Sequence, residues 1–368
     1  MKTNLNQEIL RYLDGLSSGN KDFEYSPING INNVDSLPRL GFSCYALKIY
    51  KLLNFQDVIS NKNLKKWIQY LNSFQNTESD FPLNSYIDKT YIFNHKNVNK
   101  ENLIQKSVKK TFNKVFNTNY KDSNEKLSEY INAESKQTIS TIYEMGYENK
   151  LKYLEFPNSE IKLNYYLNSL NWNYPWSSGG QFSGICLFSK TQLEDKEFVK
   201  MKLQLEKFLE NLVDQETGFY FKGSQPKDSE LINGAMKIIS GIDWIDGTVH
   251  YPEKIIDYCL NVNLNNEACD VVDLVYVIYK CSTQTNYKRK EIAEYLNEIL
   301  NFIFLHFKEE EGGFSYFKES CQTHYYDVKF SDSLNIADLH GTLLFTWAIV
   351  MILEVTENKL FDFNIIKP

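Results

Sequence analysis

The sequence has few cysteines, and they are widely spaced along the chain. Six are spread over 368 residues, and no two of them form a CxxC motif. Cysteines spaced in this way do not indicate a disulfide framework. We expect them to be free thiols, most of them filling small positions in the core.

Long apolar runs are also missing. The best candidate, LLFTWAIVMIL at 343–353, suits a buried helix but is shorter than the roughly 20 residues of a membrane span. The first residues, MKTNLNQEILRYLDGLSS, lack the uninterrupted apolar core of a signal peptide. We therefore expect a cytoplasmic protein without a membrane span.

The third absence is a long cluster of lysine and arginine. The net charge is −7, which argues against nucleic acid or an anionic membrane surface as the main partner. One basic amphipathic segment, NLIQKSVKKTFNKVF at 102–116, is predicted to be a helix with a solvated charged face.

Aromatic residues are plentiful, at 15% of the chain, and some of them mark a repeat. The turns DQETGFYFKGS and EEEGGFSYFKES place Phe219 and Phe314 95 positions apart, close to two periods of about 47. Phe81 lies 138 positions before Phe219, close to three periods. Segments 173–184 and 264–273 fill the intervening slots as degenerate copies.

Each repeat contains two kinds of helix. Segments 197–213 and 290–307 are amphipathic, whereas 177–189, 231–242, 267–281 and 337–353 are apolar nearly all round. An amphipathic helix faces water on one side, and an apolar one is buried. The alternation predicts an all-α fold, an α/α toroid of roughly six helical hairpins around a central cavity. An open α-solenoid is the alternative.

The predicted toroid occupies a single domain, 1–368. An extension helix covers 1–36, and the repeats run over about 37–355. The stretch 123–147 is helical but too polar to place, and the arrangement of 85–150 stays open.

With this pattern the chain resembles the terpenoid cyclase and protein prenyltransferase superfamily of α/α toroids, over about 37–355 and most clearly after 170. The resemblance implies an enzyme that acts on a bulky, partly apolar substrate in the central cavity. The sequence has no DDxxD or DxDD motif; Asp270 and Asp273 stand in DVVD instead. The resemblance also implies a possible zinc ion held by Glu267, Cys269 and His340.

The acidic residues of this segment have a second interpretation. A catalytic zinc site needs three protein ligands and an open position, which Glu267, Cys269 and His340 would supply. Acids in the first turn of a helix also cap it, which accounts for Glu267 and Asp270. Asp273 lies one turn deeper, where a buried polar network is the alternative to catalysis.

Further candidates lie at the starts of other predicted inner helices. Asp338 is placed to cap its helix, and His340 should be held neutral as a ligand or general base. In QTHYYD, His324 with Tyr325 or Tyr326 resembles the acid–base pair of toroidal polysaccharide lyases. The residues predicted to bind substrate are Trp176, Gln181, Asn233, Lys237, Tyr326 and Asp338. Lys237 would bind a phosphate or carboxylate.

Three functions therefore stay open. The first is a terpenoid cyclase-like or prenyltransferase-like enzyme, with or without zinc. The second is a carbohydrate-active toroid, a lyase or a hydrolase. The third is a toroid that binds a ligand without catalysis. The expected partner is a small-molecule, lipid-like or glycan ligand, and the oligomeric state is open.

Overall fold

The computed structural model describes residues 4–17, 23–30, 37–54, 59–98, 122–262, 267–358 and 361–368. The basic segment predicted to be a helix, 102–116, lies outside these residues. The described part is mainly helical, with two strand pairs of two residues per strand. Its helices are α1 (Leu5–Leu16), α2 (Leu40–Leu52), α3 (Asn61–Asn72), α4 (Lys89–Val98), α5 (Ser123–Glu144), α6 (Glu160–Ser169), α7 (Pro175–Gln192), α8 (Asp195–Leu212), α9 (Asp228–Trp244), α10 (Pro252–Cys259), α11 (Ala268–Ser282), α12 (Arg289–Ile303) and α13 (Leu339–Val355).

Six of these helices form a closed inner ring. Helices α2, α5, α7, α9, α11 and α13 each pack on the next one, and α13 packs back on α2. The other long helices lie outside them; α8 packs on α7, α10 on α11 and α12 on α13. The fold is therefore an α/α toroid, as predicted, because an open solenoid would leave α2 and α13 apart.

Inner and outer helices differ in the fraction of their residues that is buried. Along α13 nearly every residue from Leu339 to Leu353 is buried. The outer helix α8 buries only the stripe Met201, Leu205, Leu209 and Leu212, at a spacing of three or four residues. Within the described residues, no helix combines the length and the apolar character needed to cross a membrane.

Short backbone bridges join the outer helices to the segments that follow them. The bridged pairs are Ser17 with Tyr25, Gln75 with Tyr86, Val213 with Tyr220 and Phe307 with Phe314. The last pair belongs to the hairpin of β1 (Phe307–Lys308) and β2 (Gly313–Phe314). Phe219 and Phe314 are fully buried, as expected for repeated turns. The bridged aromatic is Tyr86 in the early copy, five positions after Phe81, and Tyr220 in the next, one position after Phe219. The bridges therefore do not all fall on the aligned phenylalanines.

Helix α5 corresponds to the polar stretch 123–147, whose position in the toroid could not be predicted from the sequence. It packs between α2 and α7 as the second member of the ring. Its polar residues include Glu134, which is fully buried, and Lys136 and Gln137, which are partly buried. The stretch looks unlike an inner helix because it contributes charged and polar side chains to the interior of the ring.

Glycines set the distance between α7 and α9. A Cβ at Gly234 would lie 2.7 Å from Cβ of Pro175 and 2.9 Å from its carbonyl carbon. We expect Gly234→Ala to lower the free energy of unfolding by about 1–3 kcal/mol, because backbone must move to admit the methyl group. Urea denaturation measures the change.

The matched control is Gly180→Ala on α7. A Cβ at Gly180 has open space around it, with no heavy atom within 4 Å. This variant should be as stable as the wild type, or more stable by up to about 1 kcal/mol, because alanine favours a helix. Equal effects of the two substitutions would contradict the proposed packing.

Candidate functional site

The ring helices bring a group of polar side chains together inside the toroid, from the first turns of α11 and α13 to the middle of α5 and α9. Asn233 of α9 donates a hydrogen bond to Asp270 of α11, and His340 of α13 stacks on Tyr45 of α2. We call this group the mouth cluster, and it consists of Lys136, Asn233, Lys237, Asp270, Asp273 and His340. All of them are buried or partly buried.

Asp273 is the most enclosed acid of the mouth cluster. Its side chain is only 3% exposed. The pKa of Asp273 is raised to about 6, mainly by burial and also by the charge of Asp270, while the ammonium groups of Lys237 and Lys136 oppose the rise. A fraction of Asp273 is therefore protonated near neutral pH, which a general acid requires.

Asp270 lies one helical turn before Asp273 and is held by α9. The Asn233 side chain donates from Nδ2 to Oδ1 of Asp270 at 2.8 Å. The other polar atom of the Asn233 amide, Oδ1, is buried without a hydrogen-bond partner among the described residues. This pair fixes the Asp270 carboxylate and leaves an acceptor beside it.

Lys136 enters the cluster from α5. Its ammonium group donates to Oγ of Ser183 at 2.7 Å, and Ser183 shares a hydrogen bond of 2.6 Å with Ser240. Burial lowers the pKa of Lys136 to about 7, with further lowering by the charges of Lys237 and Lys48. Near neutral pH this amine therefore exists in both protonation states.

His340 is held flat against an aromatic ring. Its imidazole stacks on Tyr45 with ring centres 4.8 Å apart and an angle of 8°. Its Nδ1 lies 3.0 Å from the side-chain oxygen of Gln322, so Nδ1 carries the proton and Nε2 is left as an acceptor. Burial lowers the pKa of His340 to about 3, and Lys237 adds to this. His340 is therefore neutral, as predicted.

Another buried acid, Glu134, lies on α5 and forms a hydrogen bond with a β-hairpin. Tyr325 belongs to β3 (His324–Tyr325), which pairs with β4 (Val328–Lys329), and donates to Oε2 of Glu134 at 2.6 Å. Burial raises the pKa of Glu134 to about 8, and the Tyr325 hydrogen bond opposes this rise. Gly41 makes room, because a Cβ there would collide with the Tyr325 hydroxyl.

The predicted zinc site is not formed. The Cys269 thiol neighbours the Tyr316 hydroxyl, and burial raises the pKa of Cys269 to about 12. Glu267 is exposed at the start of α11, and His340 is paired with Gln322. Across the described ranges, no three His, Cys, Asp or Glu side chains are arranged to hold a metal ion. The three groups lie at helix starts, as predicted, but Tyr316 stacks on His340 with ring centres 5.4 Å apart and also neighbours Cys269.

Asp338 has a structural role in the described residues. Its Oδ1 accepts a hydrogen bond from the backbone of Gly341 at 2.7 Å, which confirms the predicted cap of α13. Its Oδ2 accepts from the backbone of Tyr316 at 2.7 Å and of Gln322 at 3.1 Å. Asp338 was predicted to bind substrate, but its oxygens are used to hold the loop that carries Gln322.

The predicted acid–base pair of His324 and Tyr325 is not assembled. Successive residues of a strand point to opposite faces. His324 is exposed and its Nδ1 lies 2.8 Å from the Thr323 hydroxyl, whereas Tyr325 is buried against Glu134. Tyr326 is 47% exposed and packs edge-on against Tyr130, with ring centres 5.3 Å apart.

Two predicted substrate-binding residues lie on the first turns of α7. Trp176 is 45% exposed, although its backbone is tied to Glu230 of α9 by a hydrogen bond of 2.9 Å. Gln181 is partly buried, and its side-chain oxygen accepts from the Tyr166 hydroxyl at 3.0 Å. Trp176 therefore presents an aromatic surface at the end of α7 that belongs to the mouth.

Sequence reasoning missed the residues that α2 and α5 contribute, namely Tyr45, Glu134 and Lys136. The available signal was the polarity of 123–147. Charged residues within a helix that has buried positions on several sides indicate a lined cavity, but only once that helix is known to belong to the inner ring.

A separate cavity of about 430 Å³ lies at the opposite end of α9 and α11. Asp243 and Lys280 line it and form an ion pair of 2.8 Å. The Tyr276 hydroxyl also donates to Asp243. Because these charges already neutralise each other, we assign the functional site to the mouth cluster instead.

Comparison with known proteins finds only distant similarity. No family model and no curated protein matches it. One matching solved structure is the polysaccharide lyase BACCELL_00875, at 11% identity and a TM-score of 0.48, covering 98% of this chain and 99% of that one. Another is the GH76A α-1,6-mannanase from Salegentibacter sp. HEL1_6, at 14% identity and a TM-score of 0.41, covering 96% and 98%.

These comparisons correct the resemblance inferred from the sequence. The matching structures are a polysaccharide lyase and a mannanase, not a terpenoid cyclase or a prenyltransferase. The resemblance to that superfamily is therefore wrong. Its basis was an outer helix, a glycine turn and an apolar inner helix, which are requirements of a closed double ring and carry no information about chemistry.

The Glu134–Tyr325 contact should make stability depend on pH. The pKa of Glu134 is raised from 4.5 to about 8, so the folded state binds the proton more tightly than the unfolded state. Its contribution is complete below about pH 4.5 and is lost as pH rises through about 8. Glu134→Gln should therefore gain stability relative to wild type, by up to roughly 4 kcal/mol, between about pH 5 and about pH 9.

Urea denaturation of both proteins across this range measures that difference. The matched control is Glu216→Gln, because the Glu216 side chain is exposed. The control should follow the wild type at every pH. Parallel curves for wild type and Glu134→Gln would show that Glu134 has an ordinary pKa and would contradict the assignment.

Proposed function

We propose that the protein is a carbohydrate-active enzyme that cleaves glycosidic bonds by general acid–base catalysis at the mouth of its ring. The observation that supports this most directly is Asp273, a buried carboxylic acid with a pKa of about 6, one helical turn from a second carboxylate. Glycoside hydrolysis typically uses two carboxyl groups in different environments, one as the acid and the other as the base or nucleophile. The two matching structures are too dissimilar to support an activity by themselves.

In this mechanism Asp273 is the proton donor. It protonates the glycosidic oxygen while the bond from that oxygen to the anomeric carbon breaks. The Asp270 carboxylate, oriented by Asn233, takes a proton from the water that attacks the anomeric carbon. One water is consumed for each bond cleaved, and proton exchange with solvent restores both acids.

The remaining residues of the mouth suit a sugar ligand. Trp176 offers an exposed aromatic surface, against which the apolar face of a sugar ring can pack. Asn233 has an unpartnered amide oxygen among the described residues, and neutral His340 has an acceptor at Nε2. These groups can accept hydrogen bonds from sugar hydroxyls.

β-Elimination is a second candidate reaction, and Lys136 favours it. With a pKa of about 7, the Lys136 amine is available as a base near neutral pH. It would take a proton from the carbon next to a uronate carboxylate while Asp273 protonates the departing oxygen. The product then contains a carbon–carbon double bond, and no water is consumed.

The test is a polysaccharide panel assayed with wild type and Asp273→Asn. Asparagine cannot donate the proton, so we expect activity to fall roughly 100- to 10,000-fold. For wild type, kcat/KM should decline as pH rises through about 6, because Asp273 loses its proton there. New reducing ends without ultraviolet absorbance indicate hydrolysis, and absorbing unsaturated ends indicate elimination.

Asp257→Asn is the matched control. Asp257 lies on the outer helix α10, where it pairs with Lys288 at 2.6 Å. The control should keep wild-type activity. Cleavage that survives in Asp273→Asn would remove Asp273 from the mechanism, and binding without cleavage by wild type would favour a non-catalytic toroid.

A further inference from the structure

Three lysines on different ring helices extend into the interior of the toroid. Lys48 is on α2, Lys136 on α5 and Lys237 on α9. Lys48 is 7% exposed, and the other two are partly buried. The charges of Lys237 and Lys48 both act on Lys136, so the three ammonium groups form one cluster.

None of these lysines forms an ion pair of 4 Å or less in the described part of the chain. Lys48 and Lys136 donate to the hydroxyl groups of Ser140 and Ser183, at 3.1 Å and 2.7 Å. The ammonium group of Lys237 donates no hydrogen bond to any described residue. Elsewhere the protein pairs enclosed lysines with acids, as for Lys280 with Asp243 at 2.8 Å. Enclosed charges are normally paired, so this cluster lacks a counter-ion.

The nearby acids do not fill this role. Asp273 is the acid whose charge acts on Lys136, but it is partly protonated near neutral pH. Asp270 is turned toward α9, where it accepts from Asn233. Lys136 and Lys237 both act on Asp273, so two ammonium groups are close to one partly protonated acid. This excess of positive charge suits a ligand that carries a negative group near its cleavable bond.

We propose that the ligand of this toroid is an anionic glycan whose carboxylate or sulfate group binds between Lys136 and Lys237. This inference rests on the proposed function, because it names the substrate class of the same site. An ammonium group binds such an anion by charge-assisted hydrogen bonds. The charge of Lys48 also acts on Lys136 and adds to the positive potential. Lys237 is then the specificity residue, since its ammonium group acts on Asp273 only through its charge and forms no hydrogen bond or ion pair of 4 Å or less with a described residue.

Binding to matched polymers tests the proposal. The probes are polygalacturonate with its carboxyl-reduced neutral form, and a carrageenan with its desulfated form, titrated calorimetrically into Asp273→Asn protein to limit turnover. We expect at least one anionic polymer to bind about 10- to 100-fold more tightly than its neutral form. Which pair shows the difference distinguishes a carboxylate from a sulfate.

Substitutions assign the effect to the cluster. Adding Lys237→Gln should remove the preference, whereas Lys237→Arg should keep it because the charge remains. Lys254→Gln is the control, since Lys254 lies on the outer helix α10 and contacts the backbone of Gln215. Thermal unfolding checks that each variant is folded.

Equal binding of charged and neutral polymers would overturn the anionic-substrate proposal. So would a preference that persists in Lys237→Gln. Either result leaves glycan cleavage by Asp273 standing, because neutral polymers remain possible substrates. Loss of cleavage activity from the whole panel, with the anionic preference intact, would instead overturn the proposed reaction and keep the binding site.

Discussion

The shifted pKa values of the acidic and basic groups inside the ring depend on closure of the inner ring. Because α13 packs back on α2, side chains from α5, α9, α11 and α13 face a space with little access to water. Charges in such a space are poorly solvated, and their proton equilibria shift accordingly. Burial is the largest cause of the shifts in the pKa values of Asp273, Glu134, Lys136 and His340.

Enclosing these groups costs stability, so the surrounding structure has to hold them in place. Asp338 does this for the loop before α13, since its carboxylate accepts hydrogen bonds from Gly341, Tyr316 and Gln322. Gln322 in turn sets the tautomer of His340. A hydrogen bond from Tyr325 likewise holds the β3–β4 hairpin against Glu134 of α5. Interactions between distant segments therefore orient the groups to which we assign chemistry.

The sequence was a good guide to the ring where helices are apolar on all sides. Such patterns predicted helices near Ser177, Leu231, Glu267 and Ala337, and α7, α9, α11 and α13 begin close to these positions. The pattern failed for α5, because a helix that lines a polar interior has the same composition as a solvated one. The cap at Asp338 could be predicted because it depends on local helix geometry. His340 is neutral for a different reason than its place at a helix start, since burial and Lys237 lower its pKa.

Other parts of the site depend on contacts that sequence order does not reveal. Tyr325 and Glu134 are 191 positions apart, so nothing local indicates that they form a hydrogen bond. The same holds for the pairing of Gln322 with His340 and for the proximity of Tyr316 to Cys269, which replace the predicted zinc site. Spacing at helix starts identified Asp270, Asp273 and Lys237 as neighbours of the cavity, but not their individual partners.

The most direct test of this account is the titration of Asp273 itself. Protein labelled with carbon-13 at the aspartate carboxyl groups can be followed by NMR, with the Asp273 signal assigned from its absence in Asp273→Asn. The account predicts a midpoint at about pH 6. A midpoint near 3.8, the ordinary value for aspartate, would contradict it, because Asp273 would then be fully ionised at neutral pH and could not act as the acid.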